Sequence, residues 1–186
     1  MRIISGIFKG KKILDPKDIK TRPLKDLTKE SIFNILVHSN KFNVDIKNSR
    51  ILDLFSGIGS FGIECLSRGA KHVTFIENYK GVLPILKKNL DDLNIFEKYE
   101  IINQNIFSNI SLSTKKKFDI IFLDPPYKEK NITGIIENLS SEKLLKDKGI
   151  IIIHRHKKEN EYFSENFKIF EIKKYGKSKI IFGTLF

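Results

Sequence analysis

Tryptophan is absent from this chain of 186 residues, cysteine and methionine occur once each, and there are four histidines. A single cysteine, Cys65, allows no internal disulfide and fits a reducing compartment, the cytoplasm being the expected location. Cys65 falls in a helical stretch behind a glycine turn, so a buried helix residue is a better reading than a nucleophile. His154 and His156 flank Arg155 with no cysteine or carboxylate pair nearby to complete a metal site. They read as surface or strand-end residues, and no metal is expected. No apolar run reaches the ~20 residues that span a bilayer, and Met1-Arg2-Ile3-Ile4 is too short for a signal peptide. Repeats, low-complexity blocks and linkers are missing too, so residues 1–186 read as one domain.

Positive charge is plentiful. Lysine and arginine number 34 against 22 aspartate and glutamate, a formal net charge of +12. A field of that size favours a polyanionic partner, nucleic acid before an acidic metabolite. Lysine-rich compositional bias gives the same number, and the charge is spread over both termini, so charge alone supports RNA only modestly.

Strand-like runs at 50–54, 72–77, 99–103, 118–124, 149–154, 167–173 and 179–185 are separated by helical patterns as far as about residue 165. That alternation predicts parallel βα units in an α/β sheet. The last two runs, joined by Lys174-Tyr175-Gly176-Lys177, predict a closing antiparallel hairpin. Before this core (50–186), residues 1–40 form a basic extension. Ile3–Phe8 and Lys11–Leu14 straddle Lys9-Gly10 and predict a β-hairpin carrying Arg2, Lys9, Lys11 and Lys12. Such a hairpin could grip phosphates, or be a solvated edge guarded by lysines. Leu27, Ile32, Ile35 and Leu36 predict a helix through residues 25–38, with Arg22 just before it, near substrate or cofactor or simply on the surface.

The densest chemical signal is Asp124-Pro125-Pro126-Tyr127 after the apolar run Ile120-Ile121-Phe122-Leu123. Two prolines fix φ and remove two N–H donors, leaving carbonyl oxygens and the Asp124 carboxylate as acceptors on a stiff scaffold. Those acceptors suit the two N–H donors of a base's exocyclic amine, and Tyr127 could stack on its ring. A Pro-Pro turn with an incidental acid is the bland alternative.

Upstream, Arg50–Phe55 feeds Ser56-Gly57-Ile58-Gly59-Ser60-Phe61-Gly62, a strand, a glycine turn and a helix start. Gly57, Gly59 and Gly62 satisfy G-x-G-x-x-G, and Glu77 lies about 20 residues on, so a dinucleotide-binding dehydrogenase must be weighed. Two features favour S-adenosylmethionine. Asp53, four residues before Gly57, suits an ammonium group and would repel a pyrophosphate. No hydride-transfer apparatus follows. Asp53, Gly57 and Gly59 would then hold the methionine end, Glu77 the ribose hydroxyls, and Asn105 with Ile106 the adenine.

Taken together, the chain resembles the RsmD family of ribosomal RNA guanine-N2 methyltransferases over nearly its whole length. Arg2-Ile3-Ile4-Ser5-Gly6, Phe8-Lys9-Gly10-Lys11-Lys12, and Arg22-Pro23 through Asp26 with Lys29–Asn34 are similar to family-specific amino-terminal stretches. Asp53–Gly59, Asp124–Tyr127 and Tyr175-Gly176 match the central and terminal motifs. Leu24 stands where the family usually has threonine, and Arg155 near a usual acidic residue. The resemblance implies a Rossmann-like, class I S-adenosylmethionine-dependent methyltransferase with a seven-stranded, mostly parallel sheet in the order 3-2-1-4-5-7-6. It further implies a monomer that methylates a guanine in the helix 31 loop of 16S rRNA within the small subunit. Residue chemistry alone stops at amino-group methylation of a base, because adenine-N6 DNA methyltransferases share the Asp-Pro-Pro-Tyr pattern. A non-catalytic RNA-binding assembly factor is the remaining alternative.

Overall fold

The computed structural model describes residues 1–16, 24–107, 110 and 116–186. Seven strands, β1 (Arg50–Leu54), β2 (His72–Ile76), β3 (Tyr99–Ile102), β4 (Phe118–Leu123), β5 (Leu145–His156), β6 (Phe167–Tyr175) and β7 (Ser178–Leu185), form one sheet in the order β3-β2-β1-β4-β5-β7-β6. The first five are parallel and β7 runs antiparallel to both its neighbours. Strands β1, β4 and β5 are apolar on both faces because both faces are covered. Ile51, Ile120, Phe122, Ile150 and Ile152 point into the cluster holding helices α1 (Asp26–His38), α2 (Ser60–Ser67) and α3 (Leu83–Asp91). Leu52, Ile121, Leu123, Ile151 and Ile153 point the other way, against Ile132, Ile135, Ile136 and Leu139 of α4 (Ile132–Ser141). Phe61 of α2 links the first cluster, stacking on Phe33 of α1 at 5.2 Å and on Phe122 of β4 at 4.0 Å.

Three elements differ from the sequence reading. Residues 157–166 form no helix; they hold Glu161 against Arg155 and Lys179, and that buried ion-pair cluster shapes the segment instead. Strand β5 begins at Leu145, although the strand-like run starts only at residue 149, because Leu145 pairs with Phe118 across a register shift in β4. The amino-terminal arms do turn back antiparallel, paired by the Arg2–Lys12 bridge and by the Ile3 N–H to Lys11 carbonyl, Gly10 N–H to Ile3 carbonyl and Ile13 N–H to Met1 carbonyl bonds, but too briefly for two regular strands. Hairpin strands do not develop because the donors are taken elsewhere: Ile4 and Ser5 N–H groups donate to the Glu64 carboxylate at 2.8 and 2.9 Å.

Glu64 is the anchor of this arm. Its buried carboxylate also meets Arg68 Nε at 2.9 Å and Lys29 Nζ at 3.4 Å, and Lys29 donates to the Arg2 carbonyl at 2.8 Å. Burial pulls the Lys29 ammonium below its ordinary pKa, with Glu64 and Asp26 opposing. The face α1 buries is therefore Thr28, Lys29, Ile32, Phe33 and Leu36, while Leu27 is 79 % exposed. Among the described residues no helix is long and apolar enough to cross a membrane.

Candidate active site at the carboxyl edge of the sheet

Parallel neighbours β2, β1 and β4 end side by side, and each delivers a carboxylate to the same edge. Asp53 lies one residue before the end of β1, beside Phe75 and Phe122, Glu77 follows β2, and Asp124 follows β4 with its N–H donated to the Leu54 carbonyl at 3.3 Å. Asp53 is 1 % exposed and its Oδ2 accepts the Gly62 N–H at 2.9 Å. Burial pushes the Asp53 carboxyl well above the usual carboxylate range; the Gly62 bond opposes this, and Asp124 and Glu77 add to it.

Between these carboxylates runs the glycine turn. Gly57 and Gly59 take φ of 54° and 85°, a region glycine enters without steric cost. The Gly57 N–H donates to Glu77 Oε2 at 2.8 Å, and Glu77 Oε1 accepts from Asn78 and Tyr79 N–H, so Glu77 ties the end of β2 to the turn. Gly62 serves packing, since a Cβ there would stand 2.3 Å from the Phe75 ring. Phe55 adopts φ 57°, strained for a non-glycine residue, and its ring lies 5.6 Å from that of Phe107. Asn105 Oδ1 accepts the Phe107 N–H at 3.1 Å, whereas the Ile106 side chain is buried in the apolar cluster under α4.

The Asp124–Tyr127 turn is held by two side chains that the sequence reading placed on the surface or left without a role. His154 is 6 % exposed; its Nδ1 lies 2.7 Å from Asp124 Oδ1 and its Nε2 2.9 Å from Ser178 Oγ. Arg155, 1 % exposed, donates to the Pro126 and Glu129 carbonyls and pairs with Glu161. The Pro126 carbonyl is occupied, and among the described residues Asp124 Oδ2 and the Pro125 carbonyl are acceptors of the turn with no partner shown. Tyr127 packs edge-on against His154 and His156 at 6.2 and 5.3 Å. A histidine two residues from another at a strand end gave no hint of this; the register placing β5 beside β4 and β7 creates it.

The structure joins Asp53, Gly57, Gly59, Glu77 and Asp124–Tyr127 at one edge; the amino-terminal arm meets that edge at Met1, whose Sδ lies 2.9 Å from Ser60 Oγ, and runs away from it toward Lys9. Residues Ile7 and Phe8 bond to Ser67, the last residue of α2, so the Lys9-Gly10 turn sits a helix length, ~12 Å, from the glycine turn. Lys11 Nζ donates to the Asp92 carbonyl, and Arg2 lies 3.9 Å from Asp26. Arg22 lies outside the described residues. A residue that sequence reasoning missed, Asn89, is 2 % exposed and bonds both Leu14 and the Ile58 carbonyl of the glycine turn.

A family model described as conserved hypothetical protein 95 matches residues 1–184. Ribosomal RNA small subunit methyltransferase D of Buchnera aphidicola subsp. Acyrthosiphon pisum is 37 % identical over 171 residues, covering 92 % of this chain and 86 % of the relative. The chain belongs to the RsmD family. The family protein of the same name from Haemophilus influenzae is 35 % identical over 178 residues, 95 % of this chain and 89 % of its own length. A solved Escherichia coli structure bearing a methyltransferase name superposes with a TM-score of 0.82 at 28 % identity, covering 98 % of this chain and 96 % of its own. A solved Haemophilus influenzae methylase gives 0.77 at 33 %, with coverage of 98 % and 96 %. The RsmD fold here is accordingly a Rossmann-like, class I methyltransferase fold.

Proposed function

We propose that this protein transfers a methyl group from S-adenosylmethionine to the exocyclic N2 amine of a guanine in the helix 31 loop of 16S rRNA, acting on the small ribosomal subunit. The observation that carries the reading is the convergence of Asp53, Glu77 and Asp124 around a glycine turn. Three carboxylates at adjacent strand ends disfavour a pyrophosphate and suit a cationic ligand. S-adenosylmethionine carries both an ammonium and a sulfonium, so the residues present fit it. The names of the relatives support a small-subunit RNA substrate. Guanine N2 and the helix 31 loop rest on the family resemblance.

In this reading Asp53 and the Gly57–Gly59 backbone hold the methionine end. Glu77 keeps acceptor capacity for the ribose hydroxyls beyond its three backbone bonds. Asn105 and the Ile106 backbone frame the adenine. The bound cofactor supplies an electrophilic methyl group whose leaving group departs neutral. Asp124 and the Pro125 carbonyl accept the amine's N–H bonds and localise the nitrogen lone pair toward that methyl. His154 fixes Asp124, Arg155 fixes the Pro126 carbonyl, and Tyr127 stacks on a base extruded from its loop.

Calorimetry on Asp53→Asn tests the cofactor half. Because the folded-state pKa of Asp53 is raised above its unfolded value, folding takes up a proton, and stability falls as pH rises through the folded pKa. The asparagine variant escapes that penalty. Without cofactor it should melt above the parent protein at neutral pH, with the gap closing toward pH ~4. Its affinity for S-adenosylmethionine should fall roughly 10- to 100-fold, the loss of a charge-assisted contact. Unchanged affinity, or binding of NAD by the parent protein, contradicts the assignment.

A further inference from the structure

The carboxyl edge carries a basic rim that the motifs do not explain. Lys128 and Lys130 follow the Asp124–Tyr127 turn at the end of β4, and Lys157 and Lys158 follow the end of β5. Lys174 and Lys177 flank the β6–β7 turn, which the antiparallel register brings to the same edge: His156 pairs with Ser178, and the Lys157 N–H donates to the Lys177 carbonyl at 2.8 Å. All six are exposed, and among the described residues none makes an ion pair. Two of the three nearby acids are engaged, and Glu159 is the third. Glu161 is buried between Arg155 and Lys179, and Glu129 Oε1 accepts the Asn131 N–H at 2.7 Å. Aromatic faces lie among the lysines: Tyr127 against His156, and Tyr175, 39 % exposed.

We infer that this rim, not the amino-terminal turn, is the main grip on the RNA strand flanking the target nucleotide. Unpaired cations beside stackable rings are what a single-stranded segment requires: phosphates meet the lysines while bases meet the rings. Position decides between the two basic surfaces. An extruded base at Asp124 leaves its neighbouring phosphates within side-chain reach of Lys128, Lys157 and Lys177, whereas Lys9 stands at the far end of α2.

The inference rests on the methylation reading above, and the experiment separates the two. Methyl transfer to small subunits lacking the modification is measured for the parent protein, for K157E/K158E/K177E, and for K71E/K98E/K148E. The last triple makes the same charge change on exposed residues at the amino ends of β2, β3 and β5. The rim triple should raise KM for the subunit about tenfold or more at low salt. It should reduce the log–log salt slope of RNA binding by about 2, at ~0.7 per phosphate contact on a single strand, and leave cofactor affinity unchanged. The milder K157Q/K158Q/K177Q should shift KM in the same direction. The control triple should change KM less than about threefold. Equal effects from both triples, or an unmoved KM and slope in the rim variant, overturn the inference while methylation by the parent stands. No methylation of RNA by the parent protein overturns the underlying reading instead.

Discussion

Asp124→Ala should lower kcat for methyl transfer about 10²- to 10³-fold, the scale of losing one preorganised electrostatic partner of a reacting group, with cofactor affinity changed only a few-fold. The reason is division of labour along the edge. Asp53 sits on β1 and Glu77 just past β2, while Asp124 follows β4 and stands next to the side chains that orient it. Its Oδ1 is committed to His154, 2.7 Å away. A carboxylate so held presents Oδ2 in one orientation, and effective concentration depends steeply on that orientation. His154→Ala should therefore cost about tenfold in kcat with little change in KM, and His154→Asn, whose amide can donate to Asp124, should recover part of it. A His154→Ala enzyme with parental kcat, or one whose loss lies wholly in KM, shows that Asp124 is not positioned in this way.

Glu64→Ala should be the most destabilising single change away from the site. Its carboxylate receives the Ile4 and Ser5 amides and the Arg68 guanidinium, and faces the fully buried Lys29 ammonium. Removing it strands a buried cation and two amides, and breaking a buried pair in this way costs roughly 3–5 kcal/mol. For a domain of this size that lowers Tm by on the order of 10 °C. The amino-terminal arm should come loose before the sheet does, so amide exchange at Ile4, Ser5 and Phe8 should accelerate ahead of that in β1 and β4. A melting temperature within a degree or two of the parent contradicts the anchoring role.

The sheet and the motif edge were legible in the sequence because they rest on local signals. Runs such as Ile120–Leu123 and Ile150–Ile153 are apolar without alternation, as strands covered on both faces must be. Gly57 and Gly59 announce the turn, and the prolines after Asp124 announce the strand end. What escaped depends on partners distant in sequence. A lysine at position 29 reads as solvated until Glu64 is beside it, and Leu27 reads as core until Lys29 takes that face. The helical pattern extended toward residue 165 gave way to the Arg155, Glu161 and Lys179 cluster, which only the neighbouring strands β5 and β7 assemble. The predicted hairpin is present but short for the same reason, the Ile4 and Ser5 donors having been claimed by Glu64 of α2. His154 was read as peripheral because nothing nearby in sequence suggests Asp124, 30 residues earlier, or Ser178, 24 later.

The most direct test of the proposed activity follows tritiated methyl groups from S-adenosylmethionine into small subunits lacking the modification, naked 16S rRNA and DNA, with nucleoside analysis of the product. Label on N2-methylguanine in the subunit RNA, lost in Asp124→Ala, is the predicted result. Label on DNA adenine, or cofactor binding with no transfer to any of the three, contradicts it.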